Sequence, residues 1–294
     1  MINLKGDSFT YLRKMFDSVR IVNPNDCSEI SILNNDIECK NRTESCYRMW
    51  GKGTKCNNCI SSRAYNEDGT FIKFECSGEK TYLVMAMPII DEGKKYIIET
   101  IKEIKDGRFI YGEENFTPNQ LYEKIQHNNE LIILDELTGA FNRRYINENL
   151  PTEVSKAIIS NNTLSLAMLD LDDFKMINDT YNHAMGDFII KEFVKVVKEN
   201  IRRHNDWIAR YGGEEFIIVF RNTDKEEAYT LCERIRKAVQ EHVFFKDNIK
   251  IDLTVSFGIS TIAEDVNNSE LLLKNADDNL YKAKDNGKNR VEKD

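Results

Sequence analysis

Residues 207–220 read WIARYGGEEFIIVF: two apolar arms of strand composition on either side of Gly212-Gly213, with Glu214 and Glu215 immediately beyond. Glycines at such a tip admit the positive φ of a tight turn, so the arms are expected to fold back on each other as a hairpin. Its two glutamates would then sit on a stiff support. Adjacent carboxylates repel, and a solvated turn gains nothing from the pair. Taken alone, the pattern describes an exposed acidic turn more often than a site.

A second acidic strand end changes that balance. The run LSLAMLDLD (164–172) is apolar and closes on Asp170 and Asp172, with Asp173 next. Helical periodicity follows in 187–203 and 224–242. A strand is expected at 250–261 and a last helix at 269–287, stopped by Gly287. The order β-α-β-β-α-β-α is a split βαβ arrangement with a trailing helix. In such a sheet the first strand lies beside the hairpin, so Asp170 can face the bend at 212–213. Carboxylates meeting from two strands make a hard oxygen site suited to Mg²⁺, and two such ions can clamp the attacking and leaving oxygens of a phosphoryl displacement.

On these residues the chain from about Asp135 to Arg290 resembles the GGDEF domain of bacterial diguanylate cyclases. The matches are DELTGAFNRR (135–144), LDLDDFKMINDTYNHAMGD (169–187), GGEEF (212–216) and YKAKDNGKNR (281–290), in that order. The resemblance implies a ferredoxin-like, palm-type α+β nucleotidyl cyclase domain that condenses two GTP into cyclic di-GMP. It also implies that Asp170, Glu214, Glu215 and the carbonyl of Leu171 hold Mg²⁺, one ion or two, and that Glu214 accepts the 3′-hydroxyl proton. Asn178 and Asp187 match a guanine-binding pair, and a carboxylate suits the N1–H and 2-amino donors that adenine does not present. Lys175, Lys284 and Lys288 fall where the family contacts triphosphate, Lys175 nearest the transferring phosphoryl group. Lys288 stands where arginine is frequent, which removes a bidentate phosphate contact there. Arg203 and Asp206 have the R-x-x-D spacing of a product-inhibition site, with Arg234 as a second contact; the same spacing also fits a helix-end salt bridge. One site holds one GTP and the product joins two, so catalysis requires a homodimer.

The first quarter reads differently. Six of the seven cysteines, Cys27, Cys39, Cys46, Cys56, Cys59 and Cys76, precede residue 77. Strands are expected at 71–76, 80–89 and 94–104, and the region looks like a PAS-type sensor. This gives a small α/β sensor domain over 1–104, a polar linker and signalling helix over 105–134, and the cyclase domain over 135–294. Thr117 and Pro118 open that helix as N-cap and first residue. Leu121, Ile125, Leu131, Ile132 and Leu134 give it an apolar stripe, which packs either on its own domain or in a dimeric coiled coil. Cys27, Cys46, Cys56 and Cys59 are candidates for tetrahedral Zn²⁺, with Cys39 the rival for the fourth place; an iron–sulfur cluster and a reduced, metal-free core are the alternatives. Cys232 reads as a core residue.

Bulk properties bound the partners. At 294 residues with a formal net charge of −8, two domains are expected and nucleic acid is disfavoured, because duplex binding rests on lysine and arginine neutralising phosphate. The start carries no signal-peptide core. The longest apolar run, 82–90, is too short to span a bilayer and contains Pro88. A cytoplasmic protein with reduced cysteines and no membrane insertion is expected.

Overall fold

The computed structural model describes residues 12, 14–30, 45–78, 80–91, 93–104, 117–203, 205–263 and 266–293. The expected linker at 105–116 and Cys39 lie outside the described residues. The chain divides into two compact units, Met1–Ile132 and Ile133–Asp294, so most of the expected signalling helix groups with the first.

In the first unit, β1 (Ser18–Asn23), β2 (Ser28–Ile30), β3 (Phe71–Ser77), β4 (Lys80–Asp91) and β5 (Lys94–Ile104) form one antiparallel sheet in the order β2-β1-β5-β4-β3. A 3-10 turn (Cys46–Trp50) and α1 (Ile60–Glu67) intervene between β2 and β3. Val22, Val84, Ala86, Ile97 and Ile101 pack with Trp50, Ile60, Ala64 and the thiols of Cys27, Cys46, Cys56 and Cys59. The unit also buries Arg20. Its guanidinium donates to Glu99 through Nε at 2.7 Å, to Glu29 at 2.8 Å and to the Cys46 carbonyl at 2.9 Å, while the Ser61 hydroxyl donates to the other Glu99 oxygen. Burial opposes the Arg20 charge, but Glu99, Cys46 and Glu29 outweigh it and raise its pKa. The helix α2 (Pro118–Ile133) buries Ile125 and leaves Leu131 exposed. Asn129 on α2 donates to the Phe74 carbonyl at 3.3 Å and accepts from Asn58 at 2.8 Å, which favours packing on its own unit over a free coiled-coil face.

In the second unit, β6 (Leu164–Leu171), β7 (Asp206–Gly212), β8 (Glu215–Arg221), β11 (Val255–Thr261) and β12 (Val291–Lys293) form a sheet in the order β12-β11-β6-β8-β7. The first strand is therefore central and flanked by the hairpin, as the split βαβ reading expects. Its alternation sorts the two faces. Ala167, Leu169 and Leu171, with Phe216, Ile218, Phe220, Phe257 and Ile259, join a core with α5 (His183–Asn200) and α6 (Lys225–Glu241). Leu166, Met168 and Asp170 project to the opposite face, the side from which Lys284 of α7 (Ser269–Asp285) reaches Asp170. Cys232 is fully buried in the core under α5 and α6, and burial pushes its thiol up.

Several elements depart from the sequence reading, three of them around the site. The helix α3 (Arg143–Ile159) and the short α4 (Phe174–Tyr181) are additional. The strand expected at 250–261 is two: β10 (Ile249–Ile251) pairs with β9 (Phe244–Lys246) as a separate ribbon, and β11 begins at Val255. The break falls where Asp172 N–H donates to the Thr254 carbonyl at 2.9 Å, so the chain between them is turned toward the end of β6.

The buried Arg20 pair gives a direct stability test. Removing one partner of a buried ion pair leaves the other charged and dehydrated, at a cost of about 3–5 kcal/mol. Urea unfolding of Arg20→Ala should show a loss of that order; a loss under about 1 kcal/mol would mean that Glu99 and Glu29 find water instead.

Candidate active site

The hairpin tip is built as its sequence predicts, with the strain placed on one glycine. Gly213 has φ +48°, a left-handed conformation that costs a side-chain-bearing residue about 1 kcal/mol or more. The β7–β8 register shifts between Arg210 and Gly212, so Gly212 pairs with Glu215 across the turn. Arg210 holds the tip: its Nε donates to the Gly213 carbonyl at 2.8 Å and its Nη1 to both oxygens of Asp135 at 3.2 and 3.3 Å. Asp135 also caps its own loop, accepting from Thr138 N–H at 3.0 Å. Two motifs 75 residues apart thus meet through one guanidinium, a link the sequence reading did not draw.

Asp170 and Glu215 are Cα partners in the β6–β8 ladder. Leu171 N–H donates to the Glu214 carbonyl at 3.4 Å. The end of β6 and the tip therefore converge, as expected for Asp170, Leu171, Glu214 and Glu215. Asp170 is only 7% exposed and its Oδ2 accepts from Lys284 Nζ at 2.8 Å. Burial lifts its pKa to about 6; the hydrogen bond and charge of Lys284 pull it down, and Glu214 and Glu215 push it further up. An excess of negative charge is thus held here with one ammonium opposing it. Among the described residues no group of three or more His, Cys, Asp or Glu side chains is arranged to hold a metal ion. An ion at this tip would draw on one or two carboxylates, the Leu171 carbonyl, water and ligand oxygen. That all-oxygen set, with few protein ligands, fits Mg²⁺.

Asp172 has a different task from Asp170. It is buried, with Oδ1 accepting from Ser256 Oγ at 2.7 Å and Oδ2 from Thr254 Oγ1 at 2.7 Å and Asn289 N–H at 3.0 Å. The last of these pins the loop after α7, where Lys288 and Asn289 both have positive φ. Lys288 Nζ reaches exposed Asp173 at 2.5 Å, a hydrogen bond that raises the lysine's pKa. Lys284 and Lys288 therefore both lie against the acids of the β6 end, and Lys175 is exposed on α4. Asn178 is on α4 and exposed Asp187 on α5, joined by the corner at Asn182.

The remaining expectations are met unevenly. Asp206 has a buried carboxylate whose oxygens are both engaged by its neighbour Arg202, through N–H at 2.9 Å, Nε at 2.9 Å and Nη2 at 2.6 Å. The helix-end salt bridge allowed by the sequence exists, but with Arg202 and not Arg203. Arg203 is exposed and, with Lys195, Lys198 and Phe141, lines a cavity of about 540 Å³. Arg234 is exposed and donates to the Asn200 carbonyl at 2.5 Å. In the first unit the hydrogen bond with Cys27, followed by burial, raises the Cys46 thiol, and burial raises Cys56. All four candidate cysteines are buried core residues, and no metal-holding group occurs among the described residues. The zinc expectation finds no support among the described residues, where the four cysteines pack with Trp50 and Ile60.

Comparison with known proteins follows the same division. The family described as "Diguanylate cyclase, GGDEF domain" matches residues 132–290. Diguanylate cyclase A of Treponema denticola is 46% identical over 129 residues, 44% of this chain and 34% of that protein. Response regulator PleD of Caulobacter vibrioides is 37% identical over 173 residues, 58% of this chain and 38% of that protein. The matched part thus spans well under half the length of either relative. Among solved structures, the coiled coil and GGDEF domain of DgcB from Caulobacter crescentus in complex with c-di-GMP superposes with TM-score 0.56 at 28% identity, covering 60% of this chain and 93% of that one. Among the described residues no helix is long and apolar enough to cross a membrane.

The raised Asp170 pKa has a signed consequence. Its folded value of about 6 lies above the ordinary 3.8, so ionising it costs stability as pH rises from about 4 through 6, fully so above the folded value. Without divalent cations, Asp170→Asn should melt several degrees above the wild type at pH 8, with the gap closing near pH 4. A variant less stable than the wild type at pH 8 would show that the Lys284 pair outweighs burial.

Proposed function

The chain belongs to the GGDEF family of diguanylate cyclase domains, and from that premise we propose that the unit 133–294 condenses two GTP into cyclic di-GMP and two pyrophosphates. The observation that carries the reading is the meeting of Asp170 with Glu214 and Glu215 at the hairpin tip, with the ammonium of Lys284 already on Asp170. A set of acids with only one bound ammonium is suited to divalent cation and triphosphate together.

Each step has a group to perform it. Glu214 takes the proton of a 3′-hydroxyl, the freed oxygen attacks the α-phosphorus of the facing GTP, and the bond to pyrophosphate breaks; repetition closes the ring. Asp170, the Leu171 carbonyl and one or both glutamates would hold one or two Mg²⁺, which supply polarisation of phosphoryl oxygens and a more acidic 3′-hydroxyl. Lys284, paired with Asp170, and Lys288, paired with Asp173, are the ammonium groups that would turn to triphosphate oxygen. Lys175 opposes charge on the transferring group. Asn178 and Asp187 read the guanine edge, setting GTP above ATP.

A single site binds a single GTP, so two subunits must face each other and the homodimer is the catalytic form. The first unit is a PAS-like sensor that governs this meeting, a reading supported by the strand order β2-β1-β5-β4-β3 with helical segments inserted between β2 and β3. Product feedback through Arg203, with Arg234 as a second contact, is supported by the R-x-x-D spacing of Arg203 and Asp206 and by the cavity beside Arg203. Asp206 joins such a contact only by releasing Arg202.

Purified protein given GTP and Mg²⁺ should form cyclic di-GMP, and Glu214→Gln should reduce the rate at least 100-fold, the order expected for losing a positioned base. Chelating the cation should stop turnover and leave the fold intact by circular dichroism. Turnover retained in Glu214→Gln would remove Glu214 from proton transfer.

A further inference from the structure

Gly186 lies in the first turn of α5 and faces the Asn178 side chain of α4 across the corner at Asn182. A Cβ placed on Gly186 would sit 2.0 Å from Asn178 Oδ1, 3.0 Å from its Cγ and 3.1 Å from Phe174 Cζ. Packed interiors do not hold such overlaps. The carboxamide of Asn178 therefore occupies the volume that a side chain at 186 would need.

What holds the carboxamide there is contact and not hydrogen bonding. Asn178 Oδ1 is buried and has no hydrogen-bond partner among the described residues. The backbone around it is well tied. The Asn178 carbonyl accepts from Asn182 N–H at 2.9 Å, and Asn182 Oδ1 caps α5 by accepting from Ala184 and Met185 N–H at 2.9 and 3.3 Å. Lys246 Nζ of the β9–β10 ribbon donates to the Ala184 carbonyl at 3.2 Å. A stiff corner thus carries an amide whose orientation depends on the surface beneath it.

From this we infer that Gly186 is a specificity-determining positioning residue: its missing side chain seats the Asn178 carboxamide, and through it the site's choice of purine. The inference rests on the proposed reading of Asn178 as a guanine contact. It also separates two effects that ordinarily coincide. Alanine is the better helix former, so Gly186→Ala should keep or raise thermal stability while the amide is displaced and base discrimination falls.

The test uses the full chain in two arms. In the first, side-chain amide resonances of Asn178 are compared between wild type and Gly186→Ala without nucleotide; displaced resonances are expected, and unchanged ones overturn the proposal. In the second, affinities for the α,β-methylene analogues of GTP and ATP are measured by calorimetry in wild type, Gly186→Ala, Asn178→Ala and the double variant. The GTP-to-ATP preference should fall roughly tenfold in Gly186→Ala, the worth of about one hydrogen bond, and no further when Gly186→Ala is added to Asn178→Ala. An unchanged preference, or a second full loss in the double variant, overturns it. A wild type with no preference for the GTP analogue sinks the guanine reading of Asn178, and the resonance arm then still decides whether Gly186 seats the amide.

Discussion

The register of β6 against β8 is the constraint on which the rest depends. With Asp170 opposite Glu215, Leu169 opposite Phe216 and Ala167 opposite Ile218, apolar side chains fill the face under α5 and α6, while a carboxylate emerges on the other face at the strand end. A slip of one residue would exchange the faces. Asp170 would enter the core and Leu171 would take its place beside the turn. Because every residue of β6 is buried, the packing that stabilises the sheet also fixes the acid's position. The site is set by the core.

Setting acids at a buried strand end has a cost, visible in the raised Asp170 pKa. The fold offsets it with ammonium groups from a separate element. Lys284 on the last turn of α7 meets Asp170, and Lys288 just past that helix meets Asp173. Asp172 makes this possible, since its hydrogen bond from Asn289 N–H ties the left-handed loop to the end of β6. Three neighbouring aspartates thus have three roles: one faces the hairpin tip, one anchors a loop and one pairs with a lysine at the surface.

Much of this was legible in the sequence, for identifiable reasons. Gly213 declares a turn because few other residues tolerate its φ. The apolar runs at 164–171 and 216–220 are long enough to read as strands, and acids ending one of them stand out. α3 escaped because its buried side includes Glu148, Asn149 and Thr152, and Pro151 lies within it, so no apolar stripe marks the helix. Arg202 and Arg203 are adjacent, and only the turn into β7 decides which of them Asp206 meets. The Arg210–Asp135 link joins residues that are each unremarkable locally and meet only when the segment around Phe141 docks on β7. The cysteines were legible only as a group: the fold packs Cys27, Cys46, Cys56 and Cys59 in one core, and C-x-x-C spacing does not distinguish thiols that hold an ion from thiols that fill a core.

The central claim is that Asp170 and the tip glutamates share a divalent cation with a guanine nucleotide's phosphates. The most direct measurement is anomalous diffraction from crystals of the full chain grown with Mn²⁺ and a non-reacting GTP analogue. The account predicts a manganese peak between Asp170 and the Glu214–Glu215 turn, within bonding distance of phosphate oxygen, with Lys284 turned from Asp170 to the triphosphate. Nucleotide bound with Lys284 still on Asp170 and no manganese at the tip would contradict it.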